Sequence, residues 1–105
     1  SKAARPATRR DLHLILAEAI LHYGADDRTA LAHLEAAERI GGMDGVTLAD
    51  TLVQIGELAR EHGDLAVARG HYAAFVREFP RDRRHYFIQQ RLAALPPAAS
   101  HHAPP

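Results

Sequence analysis

Eight histidines are the first residues of this 105-residue chain that could do chemistry, because imidazole binds metals and carries protons near neutral pH. A zinc-binding helix of the His-Glu-x-x-His type places two histidines four residues apart. No two histidines here have that spacing, and His101-His102 lies in a Pro- and Ala-rich tail. The chain has no cysteine, which excludes disulfides and thiolate metal sites. We therefore predict no metal site and no cofactor.

A glycine-rich segment is the second place where chemistry could occur, because such loops can cradle phosphates. Residues 41–45 read Gly-Gly-Met-Asp-Gly, but the Lys that a phosphate-binding loop requires does not follow. Serines, threonines and carboxylates show no nucleophile–base spacing. We interpret the segment as a connection whose glycines allow positive φ, and we predict that the chain is not an enzyme.

The elements that would position these side chains are helices. Leu48, Leu52, Ile55 and Ala59 recur at the spacing of one helical stripe. Thr47 followed by Asp50 is a pattern typical of a helix start, so we expect Thr47 to cap this helix.

A further helix is expected immediately after the one that contains Leu48 and Ala59. Gly63 is expected to end the earlier helix in the left-handed conformation, and Asp64 is expected to cap the later one. Its apolar stripe comprises Leu65, Ala68, Tyr72, Phe75 and Phe79, and Pro80 stops it. The small residues Gly56 and Ala68 would let the two helices approach closely.

The spacing of these residues resembles the tetratricopeptide repeat, a helix–turn–helix unit of about 34 residues. The resemblance rests on Leu52, Ile55, Gly56, Ala59, Ala68, Tyr72 and Pro80. A shift of 38 residues gives a weaker copy upstream, with Ala30 in the place of Ala68, Leu34 in that of Tyr72 and Glu18 in that of Gly56. The resemblance implies an all-α fold of helix–turn–helix repeats, a fragment of an α-solenoid with about five antiparallel helices.

These signals divide the chain into segments. We predict a basic flexible arm over residues 1–10, repeat one over 11–41, repeat two over 47–80, a capping helix over 82–95 and a disordered Pro/Ala/His tail over 96–105. The helices of repeat one are expected at Asp11–Tyr23 and Asp27–Ile40. In the last helix, Asp82 is expected to be the cap and Tyr86 to take the place of a repeat's first large residue. Phe87, Ile88, Leu92 and Leu95 form a further apolar stripe there.

The resemblance implies a binding face, because the first helices of such repeats line a concave groove. Matched by position, that face comprises Leu12, Ile15, Ala19 and His22 in repeat one, Asp50, Val53, Glu57 and Arg60 in repeat two, and Arg84, Phe87 and Arg91 in the capping helix. Some relatives grip a C-terminal carboxylate with Lys and Asn. Here those places hold Ile15, Ala19, Val53 and Glu57, so that clamp is not expected.

Two interpretations stay open both for the apolar residues of this face and for its arginines. Leu12 and Ile15 either cover the end of the core or meet a partner. Arg60, Arg84 and Arg91 are either solvated or bind an acidic segment, since guanidinium pairs well with carboxylates. The first helix of repeat one is apolar on two sides, so we expect other protein surface to cover it. One side comprises Leu14, Ala17 and Leu21, and the other comprises Leu12, Ile15, Leu16 and Ile20.

The functional prediction is a non-catalytic scaffold or adaptor that binds a protein or peptide segment. The alternative is a self-associating, homodimeric module or a fragment of a longer repeat protein, and Ser1 fits either a processed start or a fragment. A weaker reading uses the basic arm to approach nucleic acid, but the formal net charge of zero argues against a nucleic-acid or membrane-surface partner. No apolar run approaches a membrane span and no signal-peptide pattern appears, so a cytoplasmic location is expected, with a soluble periplasmic domain left open.

Overall fold

The computed structural model describes residues 5–24 and 26–97, which form five α-helices and no strand. The helices are α1 (Pro6–Tyr23), α2 (Asp27–Ile40), α3 (Gly45–Glu61), α4 (Leu65–Glu78) and α5 (His85–Ala94). α1 packs on α2 and α3 on α4, while α2 contacts α3 and α4 contacts α5. The arrangement is that of a helical repeat: two hairpins followed by a fifth helix.

The start of α1 differs from the prediction, because residues 6–10 are helical and do not form a flexible arm. Pro6 occupies the first turn, where its fixed φ suits a helix and its missing N–H costs nothing. Arg10 donates from Nη1 to the carbonyl oxygens of Gly41 and Gly42, at 3.2 and 2.8 Å. This arginine therefore ties α1 to the end of α2. The rest of the predicted arm, residues 1–4, lies outside the described residues, as do residues 98–105 of the predicted tail.

The core confirms the predicted apolar stripes of α3 and α4, and it also includes residues of α2 and α5. The largest side chains that are buried almost completely include Tyr72, Phe75, Leu34, Ile55 and Ile88. In α1 the core-facing side is the one with Leu14, Ala17 and Leu21, the equivalents of Leu52, Ile55 and Ala59 in α3. The opposite side, with Leu12, Ile15 and Leu16, is exposed. The first helices of the two hairpins thus turn equivalent positions towards the core.

Side chains at the helix ends explain where α3 and α4 stop and start. α3 ends in a left-handed Gly63 with φ of 82°, and Asp64 N–H donates to Ala59 O at 2.8 Å, closing the helix end as predicted. Asp64 then caps α4 by accepting from Val67 N–H. The predicted cap of α3 was wrong: Asp44, three residues before Thr47, accepts from the Thr47 N–H at 2.8 Å. The helix consequently starts at Gly45, three residues earlier than a cap at Thr47 would place it.

The last helix also differs from its prediction. Asp82 accepts from the Arg84 N–H at 2.8 Å and does not cap α5, which begins only at His85. Tyr86 is 70% exposed and does not fill a core position. The buried residue of this helix is Ile88. Arg84, one turn earlier, pairs through its guanidinium with Asp82 and Asp50. The stripe of Ile88, Leu92 and Leu95 accordingly packs into the core and is not available as an outer face.

Candidate protein-binding surface

The gap between α3 and α5 is bridged by a cluster around Glu57. Its Oε1 accepts from the buried Tyr72 hydroxyl and from Arg60 Nε at 3.4 Å. Arg91 Nε, from α5, lies 3.2 Å from the same oxygen, close enough for an ion pair although not aligned as a hydrogen bond. Arg60 Nε also donates to the Tyr72 hydroxyl at 3.2 Å. One carboxylate therefore joins three helices.

A second cluster around Arg84 bridges the same gap about two helical turns away. The guanidinium donates to Asp82 at 2.9 Å and lies 3.0 Å from Asp50 of α3. It also lies over the Phe75 ring, 5.4 Å from the centroid, a cation–π geometry. These contacts hold the pKa of Asp82 at about 2, mainly through the hydrogen bonds from Arg84. The contacts with Asp82 and Asp50 likewise raise the pKa of Arg84.

Tyr72 connects these clusters to the core. Burial, together with its hydrogen bond to Glu57, raises the pKa of Tyr72 to about 12. Its ring lies against Gly56, where an added Cβ would come within 2.5 Å of a ring carbon. The predicted close approach of α3 and α4 is thus confirmed, and it depends on glycine at this position.

The gap between α1 and α3 is open by comparison. It contains a cleft of about 330 Å³ between the two helices, with Leu34 of α2 at its base. The walls are Leu14 and Glu18 from α1 and Thr47, Asp50, Thr51 and Gln54 from α3. No hydrogen bond or ion pair between described residues joins α1 to α3 across it.

A second, shallower hollow of about 290 Å³ lies on α1 itself. It is lined by Ile15, Glu18, Ala19, His22 and Tyr23. Ile15 is 60% exposed and Tyr23 80%, so a large apolar area faces outward here. Glu18 lines both hollows and makes them one continuous surface.

The structure places the predicted groove residues in two groups. It brings together those of α3 and α5 through the pairs Asp50–Arg84, Glu57–Arg60, Glu57–Arg91 and Arg91–Phe87. It leaves those of α1 exposed, and Ile15, Ala19 and His22 line the shallow hollow. Val53 packs against the core, whereas Leu12 stays exposed.

The three arginines of the predicted face form ion pairs within the chain. Arg60, Arg84 and Arg91 are neither fully solvated nor free, because each is paired with a carboxylate of the chain itself. Glu18, which lines both hollows, was not among the residues predicted for the binding face. The sequence feature that could have pointed to it is its position in repeat one, which is equivalent to that of the small residue Gly56 in repeat two.

Two histidine contacts were also not predicted from the sequence. The His71 ring lies between the Val67 carbonyl oxygen and Glu38 Oε1, each 2.8 Å from one of its nitrogens. His13 and His33 approach within 2.8 Å through their Nδ1 atoms, so one donates to the other. Within residues 5–24 and 26–97, no group of three or more His, Asp or Glu side chains could hold a metal ion. His101 and His102 lie outside the described residues.

Comparison with known proteins finds no matching family model, no matching curated protein and no matching solved structure. None of the described helices is long and apolar enough to cross a membrane.

Proposed function

We propose that the chain is a non-catalytic protein-interaction module that holds a segment of another protein, in the manner of the tetratricopeptide repeats that it resembles. The equivalence of the two hairpins supports this proposal. Leu14, Ala17 and Leu21 in α1 match Leu52, Ile55 and Ala59 in α3, and both sets face the core. A scaffold with this repeat leaves the opposite side of its first helices for contacts with a partner.

The observation that carries the proposal is the continuous surface formed by the two hollows. Its apolar part includes Ile15 and Ala19, and its deeper part reaches Leu34 between α1 and α3. Apolar surface of this kind, rimmed by polar groups, is typical of an interaction site. Charged pairs, by contrast, bridge the gap between α3 and α5.

Selection from a random peptide display library tests this proposal. The full chain is the bait, and each selected peptide is measured against wild type, Ile15→Glu and Val46→Glu. Val46 is the matched control, because it is an exposed aliphatic residue that lines neither hollow. We expect Ile15→Glu to weaken binding roughly tenfold or more and Val46→Glu to leave it nearly unchanged. Failure to select any peptide, or equal loss in both variants, would contradict the proposal.

Self-association is the second candidate, and the exposure of Leu12, Ile15, Leu16 and Tyr23 on α1 favours it. A second copy of the chain would cover these side chains in an isologous dimer. Light scattering of the purified chain would then give twice the monomer mass, and Ile15→Glu would restore the monomer without loss of helix content. A monomeric wild-type protein would exclude this candidate.

A further inference from the structure

Glu18 lies at the junction of the two hollows and carries a charge that the chain does not neutralise. Its side chain is exposed and makes no hydrogen bond or ion pair with any described residue. Every other groove carboxylate, namely Asp50 and Glu57, has a guanidinium within 3.4 Å. The open surface therefore has an unpaired anion at its centre.

The surroundings add negative charge. No Lys or Arg is among the described residues that line either hollow. Asp50, on the wall of the cleft, shares Arg84 with Asp82, so two carboxylates divide one cation. The described lining of the cleft thus holds two carboxylates, Glu18 and Asp50, and no Lys or Arg.

Apolar contacts lie on both sides of Glu18. Ile15 and Ala19 flank it in the shallow hollow, and Leu14 and Leu34 line the cleft. Tyr23, whose ring is largely exposed, offers an aromatic face near the same carboxylate, and such a face attracts cations.

An acidic segment fits less well anywhere on this face. Arg60, Arg84 and Arg91 each already contact a carboxylate of the chain itself, which offsets part of their positive charge. Like charges placed against Glu18 would in addition cost binding energy.

We infer that the occupant of this surface is a cationic, apolar protein segment: a Lys or Arg side chain pairs with Glu18, and apolar neighbours on the segment contact the two hollows. This inference rests on the proposed function and specifies its partner.

The test uses the peptides selected from the random display library against the full chain. Their dissociation constants are measured for wild type, Glu18→Gln, Glu18→Lys and the control Glu61→Lys. Glu61 is exposed at the end of α3 and lines neither hollow, so its reversal changes net charge equally. Circular dichroism checks that each variant keeps its helix content.

We expect the selected peptides to be enriched in Lys or Arg beside apolar residues. Binding should weaken roughly tenfold or more in Glu18→Lys, less in Glu18→Gln, and by no more than about twofold in Glu61→Lys. Acidic peptides, or cationic peptides that bind Glu18→Lys as well as wild type, would overturn this inference while leaving the proposed function standing. Absence of any selected peptide would overturn both.

Discussion

The two gaps between successive first helices differ in what fills them. Between α3 and α5, Glu57 and Arg84 join the helices through charged pairs, and the Tyr72 hydroxyl anchors them to the core. Between α1 and α3, the place equivalent to Gly56 holds Glu18 and that of Tyr72 holds Leu34, and a cleft remains. The same backbone arrangement therefore gives a closed gap where charges pair and an open one where they do not. The proposed binding site rests on this difference.

The largest expected effect is the loss of stability when Gly56, which packs against the Tyr72 ring, is replaced. An alanine there would place its Cβ 2.5 Å from the Tyr72 ring, so the ring and α4 must shift. We expect Gly56→Ala to lower the free energy of unfolding by roughly 1–3 kcal/mol or more. Urea denaturation followed by circular dichroism measures the change.

Gly70→Ala is the matched control for this substitution. Gly70 is exposed within α4, and a Cβ there meets nothing within 4 Å. We expect it to stabilise the protein by about 0.5–1 kcal/mol, because alanine favours helix. Equal effects of the two substitutions would show that the predicted packing of α3 on α4 is wrong.

A smaller effect is expected when the hydroxyl of Tyr72 is removed. Tyr72→Phe keeps the ring against Gly56 but deprives Glu57 and Arg60 of a buried partner. We expect a loss of about 1 kcal/mol in unfolding free energy. Tyr23→Phe removes a hydroxyl from a largely exposed ring of α1 and should change stability by less than about 0.5 kcal/mol. A silent Tyr72→Phe would contradict the role given to this cluster in closing the gap.

The smallest effect is a dependence on pH that comes from Asp82. Arg84 lowers the pKa of this carboxyl from 3.8 to about 2, so the folded state favours its ionised form. The resulting stability is present above about pH 4 and is lost as the pH falls towards 2. We expect Asp82→Asn to be less stable than wild type at pH 7, with the difference shrinking between pH 4 and pH 2. Urea midpoints at these pH values measure it, and a constant difference would contradict the assignment.

The sequence was sufficient for features that depend on nearby residues. α2 has the predicted bounds, and Gly63 and Asp64 end α3 and start α4 as expected, because caps act within one turn. The all-α architecture followed from the spacing of apolar side chains. Local rules failed where two signals competed, since Asp44 and Thr47 are both good caps and the structure uses the first.

Other features could not be read locally, because they depend on contacts between distant segments. The facing of α5 is set by Arg84 reaching Asp50, 34 positions away in the chain. Arg10 was assigned to a flexible arm because its contacts with Gly41 and Gly42 are equally remote. For the same reason, the resemblance could assign Arg60, Arg84 and Arg91 to the expected groove, but the sequence could not show that each is paired with a carboxylate of the chain.

The most direct test of the comparison is amide chemical-shift mapping of the ¹⁵N-labelled chain with two defined hexapeptides. One is Leu-Lys-Leu-Leu-Lys-Leu, blocked at both ends, and the other has glutamate in place of each lysine. We expect the lysine peptide to shift the amides of Ile15, Glu18 and Gln54 and to leave those of Glu57 and Arg91 unmoved. The glutamate peptide should have little effect. Shifts centred on α5, or a glutamate peptide that perturbs the chain more than the lysine peptide does, would contradict the proposed binding site.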